Sequence, residues 1–192
     1  MAENRKISRG HNLEPAEPLS VLNKVGRAVW HLVWMFLFLP TPRQCHAWRC
    51  ALLRLFGAKL GKDVHVYSSA RIWAPWNLEM LDGSGIGEHV DVYCVNKILL
   101  KERAAVSQYT FLCTASHDYE YLDLPLITAP IVIGSNAWVT ADVFIGPGVT
   151  IGEGSMVLAR STVLSDVPPW VVVGGNPASF KRARILRKEG EK

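Results

Sequence analysis

The stretch IVIGSNAWVTADVFIGPGVTIGEGSMVLARSTVLSDV, residues 131–167, decides the fold. Every sixth residue from Ile133 is aliphatic: Ile133, Val139, Ile145, Ile151, Val157 and Val163. Four places after each come Ala137, Val143, Val149, Ser155, Ser161 and Val167, all small or β-branched. Gly134, Gly146 and Gly152 follow three of the aliphatic positions, where a tight corner favours a residue without Cβ. A period of six fits neither the 3.6 of an α-helix nor the alternation of an ordinary strand. It is the mark of a hexapeptide β-helix, in which short strands form the flat sides of a prism and stack coil on coil.

Toward the N-terminus the repeat continues with slips. Leu60, Val66 and Ile72 run at period six, as do Met80, Ile86 and Val92, and then Leu100, Val106 and Leu112. Between these triplets the step is eight, eight and then twenty-one, from Leu112 to Ile133. With three sides of six residues per coil, all the insertions fall at one corner of a triangular prism: two small bulges and one fifteen-residue loop.

The flanks read differently. Residues 1–18 are polar and form an arm without the apolar core of a signal peptide, which argues against secretion. A helix is predicted from Ser20, its N-cap, to Leu39, ended by Pro40 and Pro42. The apolar run from Val29 to Leu39 falls well short of the roughly 20 residues needed to cross a bilayer. Two readings stand: a cap over the open end of the β-helix, which the sequence favours, or an interfacial helix with Trp30 and Trp34 at a membrane surface. A second helix is predicted over 43–56, with the apolar Trp48, Leu52, Leu55 and Phe56 on one side, Arg49 and Arg54 elsewhere, and Gly57 as its stop. The organisation expected is an arm (1–18), a helical cap (19–57), a β-helix (58–173) with a loop at 118–130, and a C-terminal turn followed by a short basic helix and tail (174–192).

Composition narrows the classes. Net charge is +4, with an excess in Lys181, Arg182, Arg184, Arg187 and Lys188, but no nucleic-acid motif accompanies it. Cys45, Cys50, Cys94 and Cys113 show neither paired metal spacing nor a disulfide framework, as expected of a reducing cytoplasm.

The hexapeptide array, the block SHDYE at 116–120, the block PIVIGSNAWVTADVFIGPGVTIGEGSMVLARSTV at 130–163, the ending DVPPWVVVGGNPASFKR at 166–182 and the segment YSSARIWAPWNLE together resemble the hexapeptide acyltransferases. Within them the chain is most similar to the colanic acid biosynthesis acetyltransferases, relatives of the maltose and galactoside O-acetyltransferases. The resemblance implies a mainly β fold, a left-handed parallel β-helix, and a homotrimer with active sites between subunits. It implies acetyl transfer from acetyl-CoA to a sugar hydroxyl, with no metal. An enzyme at the inner face of the membrane, in peripheral contact with it, is compatible with the tryptophan-rich front.

His117 ends the side that begins at Leu112, just before the long insertion, and an imidazole takes up a hydroxyl proton near neutral pH. By resemblance it is the general base, Asp118 orients its ring or caps the loop, and the Ala141 N–H meets the oxyanion. His11, His31, His46, His65 and His89 read as structural. The resemblance puts the acceptor at Asp91, Tyr93, Cys94 and Asn96. Cys94 stands where many relatives carry asparagine; because a thiol is a poor donor, either Asn96 substitutes, the acceptor differs or the site is weakened. Coenzyme A is expected along Trp138, Ala141, Gly146, Ala159, Asn176 and Pro177, with Lys181 or Arg182 on the nucleotide phosphates.

Two other functions fit a β-helix. A carbonic-anhydrase-like zinc enzyme needs three converging histidines, yet the residue five beyond His117 is Leu122. A catalytically silent or membrane-bound scaffold needs no histidine.

Overall fold

The computed structural model describes residues 13–15 and 20–186. Its body is a parallel β-helix of three sides. The first side stacks Lys59–Leu60, Leu78–Met80, Ile98–Leu100, Ile131–Ile133 and Thr150–Ile151. The second stacks His65–Val66, Gly85–Ile86, Ala105–Val106, Trp138–Val139, Met156–Val157 and Val171–Gly174. The third stacks Arg71–Ile72, Asp91–Tyr93, Phe111–Cys113, Phe144–Ile145 and Thr162–Val163. The register pairs Ile72 with Val92, Leu112 with Ile145 and Leu100 with Ile133, so the period-six aliphatics form continuous ladders across the insertions.

These side chains are the core. Ile133, Val139, Ile145, Ile151 and Val157 are fully buried, and so are the small corner residues Val149 and Ser155. Each inward aliphatic contributes on the order of 1.5–3 kcal/mol from burial. A Cβ added at Gly134 or Gly152 would lie within 2.7 or 2.4 Å of the backbone of the next coil, so close approach selects those glycines. Positive φ falls two residues further on, at Asn136 and Gly154. All three insertions occupy the corner between the third and first sides: 73–77, 94–97 and 114–130.

Hydrogen bonds run in both directions between successive coils, as in any parallel ladder, so the first coil has unpaired backbone groups at its open end, the carbonyls of Leu60, Val66, Ala70 and Ile72 among them. The N-terminal helices α1 (Val21–Val33) and α2 (His46–Leu55) supply the donors. Trp30 donates to the Ile72 carbonyl at 2.7 Å and Trp34 to Ala70 at 2.8 Å. Arg49 donates to Val66 at 2.6 Å, and Arg54 to Leu60 and Gly61. Residues 18–62 contain no Asp or Glu. At the far end the Asp166 carboxylate accepts from the Thr150 N–H at 2.7 Å.

Ser20 caps α1 by accepting from the Asn23 N–H. The helix then widens into one π-helical segment, Trp34–Phe38, which keeps Phe38 buried alongside Trp30. Two sequence expectations fail here. The apolar side read for α2 does not pack as one, since Leu52 is buried while Trp48 and Leu55 face outward, and Arg49 is wholly buried instead, its guanidinium drawn in by the Val66 carbonyl. The C-terminal basic segment is not a helix. Ser179–Ala183 is a strand antiparallel to Val171–Gly174, since the last coil leaves an unpaired edge whose backbone bonds outweigh local helix preference. The long insertion is a hairpin: Ala115–His117 pairs with Leu126–Thr128, and Glu14–Pro15 adds a third strand. The rest of the arm, and the tail with Arg187 and Lys188, lie outside the described residues.

Candidate active site

The hairpin carries His117 out from the corner between the third and first sides. Its turn closes locally: the Asp118 N–H donates to the Pro125 carbonyl at 2.9 Å, and Asp118 Oδ1 accepts from the Glu120 N–H at 3.1 Å. Leu124, held at φ 45°, turns its carbonyl to the imidazole, where His117 Nδ1 meets it at 2.5 Å. A carbonyl only accepts, so Nδ1 carries the proton and Nε2 is left as a lone-pair acceptor. The contact that holds the ring is thus the Leu124 carbonyl, and the Asp118 carboxylate caps the turn. Nearby Cys113 is buried, donates to the Ala115 carbonyl at 3.1 Å, and has its thiol pushed up by burial.

A second group of expected residues gathers at the corner between the second and third sides. There the Ala141 carbonyl accepts from the Arg160 N–H at 3.0 Å, whereas the Ala141 N–H has no acceptor among the described residues. Ala159 lies one coil on. The turn with Asn176 and Pro177 follows, tied down by Thr162 N–H to the Gly175 carbonyl and Ala178 N–H to the Thr162 carbonyl. Trp138 stands three residues before Ala141, half-exposed, with its indole N–H on Ser107 Oγ at 2.9 Å. Lys181 and Arg182 are exposed on the C-terminal strand and form only local bonds, to Ser179 and Ala183. Gly146 departs from this group, since it sits at the opposite end of the third side, on the corner that bears the His117 hairpin.

The acceptor residues divide as well. Strand alternation turns Asp91 and Tyr93 outward and Cys94 inward. The Cys94 thiol is fully buried, exchanges hydrogen bonds with the Ala74 backbone, and is pushed up to about 12 by burial, so it cannot meet an acceptor. Asn96 is spent on structure, with its side chain donating to Thr128 Oγ1 at 3.2 Å and accepting from the Lys97 N–H.

Asp91 opens instead onto a pocket of about 390 Å³ between α1 and the third side, lined by Lys24, Arg27, His31, Arg71 and Trp73. Burial raises the Asp91 carboxyl, and Arg71 opposes that in part. The Arg27 guanidinium lies 4.2 Å from the centre of the Trp73 ring. A run of edge-on and tilted rings, Trp73, Tyr93, Phe111 and Phe144, crosses the face at spacings of 5.6, 6.2 and 5.6 Å. Sequence reasoning missed Lys24, Arg27 and Arg71. One signal was available: Arg71 and Asp91 are twenty residues apart, one coil of the prism with its bulge.

Among the described residues no cluster of three or more His, Cys, Asp or Glu is placed to hold a metal ion, and no helix is long and apolar enough to cross a membrane.

No family model matches the chain. It is 40% identical over 163 residues, 85% of this chain and 90% of the relative, to WcaF of Escherichia coli (strain K12), a protein named for an acetyltransferase role in colanic acid biosynthesis. Over 59 residues, 31% of this chain and 27% of the relative, it is 46% identical to the galactoside O-acetyltransferase of Escherichia coli (strain K12). The fold superposes with a TM-score of 0.80, at 26% identity over 93% of this chain and 97% of the other, on a hexapeptide-repeat acetyltransferase from Vibrio cholerae O1 biovar eltor complexed with acetyl-CoA.

Proposed function

This chain belongs to the hexapeptide-repeat acetyltransferases, and we propose that it moves an acetyl group from acetyl-CoA to a hydroxyl of a sugar or glycan precursor, with His117 as general base. The observation that carries the reading is the bond from His117 Nδ1 to the Leu124 carbonyl, which leaves Nε2 basic on an exposed hairpin. As the hydroxyl oxygen attacks the thioester carbonyl, its proton passes to Nε2. When the C–S bond breaks, the imidazolium returns that proton to the departing thiolate, so the base is regenerated. The bare N–H of Ala141 is the donor for the oxyanion. Burial and a raised thiol argue against Cys113 as a covalent acetyl carrier.

The working unit in this reading is a homotrimer. Ala141 and the His117 hairpin leave the prism at opposite ends of the third side. From Ala141 to Gly146 the chain spans about 16 Å if extended, far beyond the reach of one reacting carbonyl. A neighbouring copy must therefore bring its Ala141 corner to this hairpin. Trp138, Ala159 and the turn at Asn176 and Pro177 surround that same corner and suit coenzyme A, with Lys181 or Arg182 on its phosphates. Asp91 and Tyr93 face the acceptor, since aromatic faces and a carboxylate together suit a sugar. The names of the Escherichia coli relatives favour an exopolysaccharide precursor or a galactoside as its class. Four free cysteines support a reducing cytoplasm as the compartment of this reaction.

The test is to incubate the protein with acetyl-CoA and a panel of sugars, nucleotide sugars and lipid-linked sugars, following thiol release and product mass. Acceptor-dependent release with an acetylated product is expected; no release above the blank for any acceptor would overturn the reading.

A further inference from the structure

Two helices cap the β-helix, and both turn apolar faces to solvent. On α1 and its π-helical extension Leu22, Val25, Val29, Leu32 and Phe36 recur at spacings of three and four, and all are exposed, Leu22 by 82% and Phe36 by 67%. On α2 the outward residues are Trp48, Ala51 and Leu55, again one helical stripe, with Leu55 79% exposed. The Trp48 indole donates to the Leu37 carbonyl at 2.9 Å, which joins the two stripes. The cap's inner face, with Trp30, Phe38, Leu52 and Leu53, already meets the demands of packing. The outer stripe has no such reason to be apolar, and a patch of this kind marks an interaction surface.

Charge selects the partner. Residues 18–62 carry Lys24, Arg27, Arg43, Arg49, Arg54, Lys59 and Lys62 against no carboxylate. Arg49 and Arg54 are used on edge carbonyls, Arg27 on Trp73, Arg43 on Tyr67 and Lys59 on the Glu79 carboxylate. Lys24 and Lys62 are exposed as well, and Arg43 keeps its charge because its partner is neutral, so the cap stays positive. Two caps meeting face to face would set cation against cation. An apolar stripe bordered by exposed cations matches the interface of a bilayer that carries anionic lipid. We propose that the outer face of α1 and α2 seats on an anionic membrane surface, with the helices lying in the interface. The stripe enters the acyl boundary, Trp48 stays at headgroup depth, and the exposed cations meet lipid phosphates.

The experiment is co-sedimentation of the full chain with vesicles of phosphatidylcholine alone and of phosphatidylcholine mixed with phosphatidylglycerol, with light scattering alongside. Binding to the anionic vesicles is expected, weaker by about tenfold or more on neutral ones or in high salt. Leu22→Gln with Leu32→Gln and Phe36→Gln should lower the bound fraction by about tenfold or more. Should that variant fold poorly, Leu22→Gln with Leu55→Gln alters two side chains already almost wholly in water, and it too should weaken binding. Equal binding to neutral and anionic vesicles, or stripe variants that bind like the parent, would overturn the proposal. So would absent vesicle binding together with a stripe variant that changes the oligomeric state, which would make this face a contact between copies.

Discussion

His117 Nδ1 donates to the carbonyl of Leu124 at 2.5 Å, and this one bond selects the tautomer in which Nε2 can accept a proton. Leu124 holds a positive φ to make it, so the hairpin turn is shaped around the imidazole. His117→Ala should therefore lower turnover by about two to four orders of magnitude. The Michaelis constant for acetyl-CoA should change little, because the base meets the acceptor. Thiol release measured over acetyl-CoA concentration separates the two constants. Turnover above a tenth of the parent's would remove His117 from the mechanism, and loss of all activity in Cys113→Ser would point to an acetyl-enzyme.

The separation of Ala141 from the His117 hairpin predicts complementation between copies. Ala141→Pro removes the N–H, and His117→Ala removes the base. Each homotrimer should be nearly inactive. Unfolded, mixed in equal amounts and refolded together, they should recover up to about a quarter of parental activity, since that share of sites draws an intact residue from each neighbour. No recovery in trimers shown by native mass spectrometry to be mixed would mean that one chain holds both residues of a site.

Asp91 gives a pH test of stability. Its folded-state carboxyl is raised by burial, so the fold prefers the protonated form; the associated stability is full below the unfolded carboxyl value of about 3.9 and is lost as pH rises through the folded value. Asp91→Asn should raise the melting temperature at pH 7, and this gain should shrink toward zero as pH falls below about 4. A gain that is the same at both pH values would show that its origin is not the carboxylate charge.

Arg49 is fully buried and spends its donors on the carbonyls of Val66, Pro42 and Arg43 and on Thr41 Oγ1. Burial lowers its guanidinium from the ordinary arginine value, yet these acceptors hold it. Arg49→Ala should destabilise the fold by about 3–5 kcal/mol, as a cavity and several bare carbonyls are left behind. Arg49→Lys should recover only part of that, because one ammonium cannot reach acceptors spread around a planar fork. Denaturant unfolding would measure both, and a loss below about 1 kcal/mol in the alanine variant would contradict the capping role.

Much of the fold was legible because its rule is local and repeated. An inward aliphatic every six residues, a small residue four places later and insertions confined to one corner were enough to specify three sides, their register and the position of His117 beside a protruding segment. The same arithmetic could not read the edges. Cys94 lies beside two outward residues and is turned inward by alternation, and its full burial follows from packing against Ala74 a coil away. The C-terminal basic run has helix-forming composition and becomes a strand because the last coil offers an unpaired partner.

What the sequence alone determined is the repeating body, for each repeat packs against neighbours that obey the same short-range pattern. The tertiary structure decided the termini and the site. Arg49 is drawn inward by the Val66 carbonyl 17 positions away, Leu124 turns to hold His117 only once the hairpin has closed, and Asp91 acquires its raised carboxyl only when α1 covers it. Each depends on groups left unpaired or desolvated by the folded solenoid, and no periodicity along the chain records which segment will come to satisfy them.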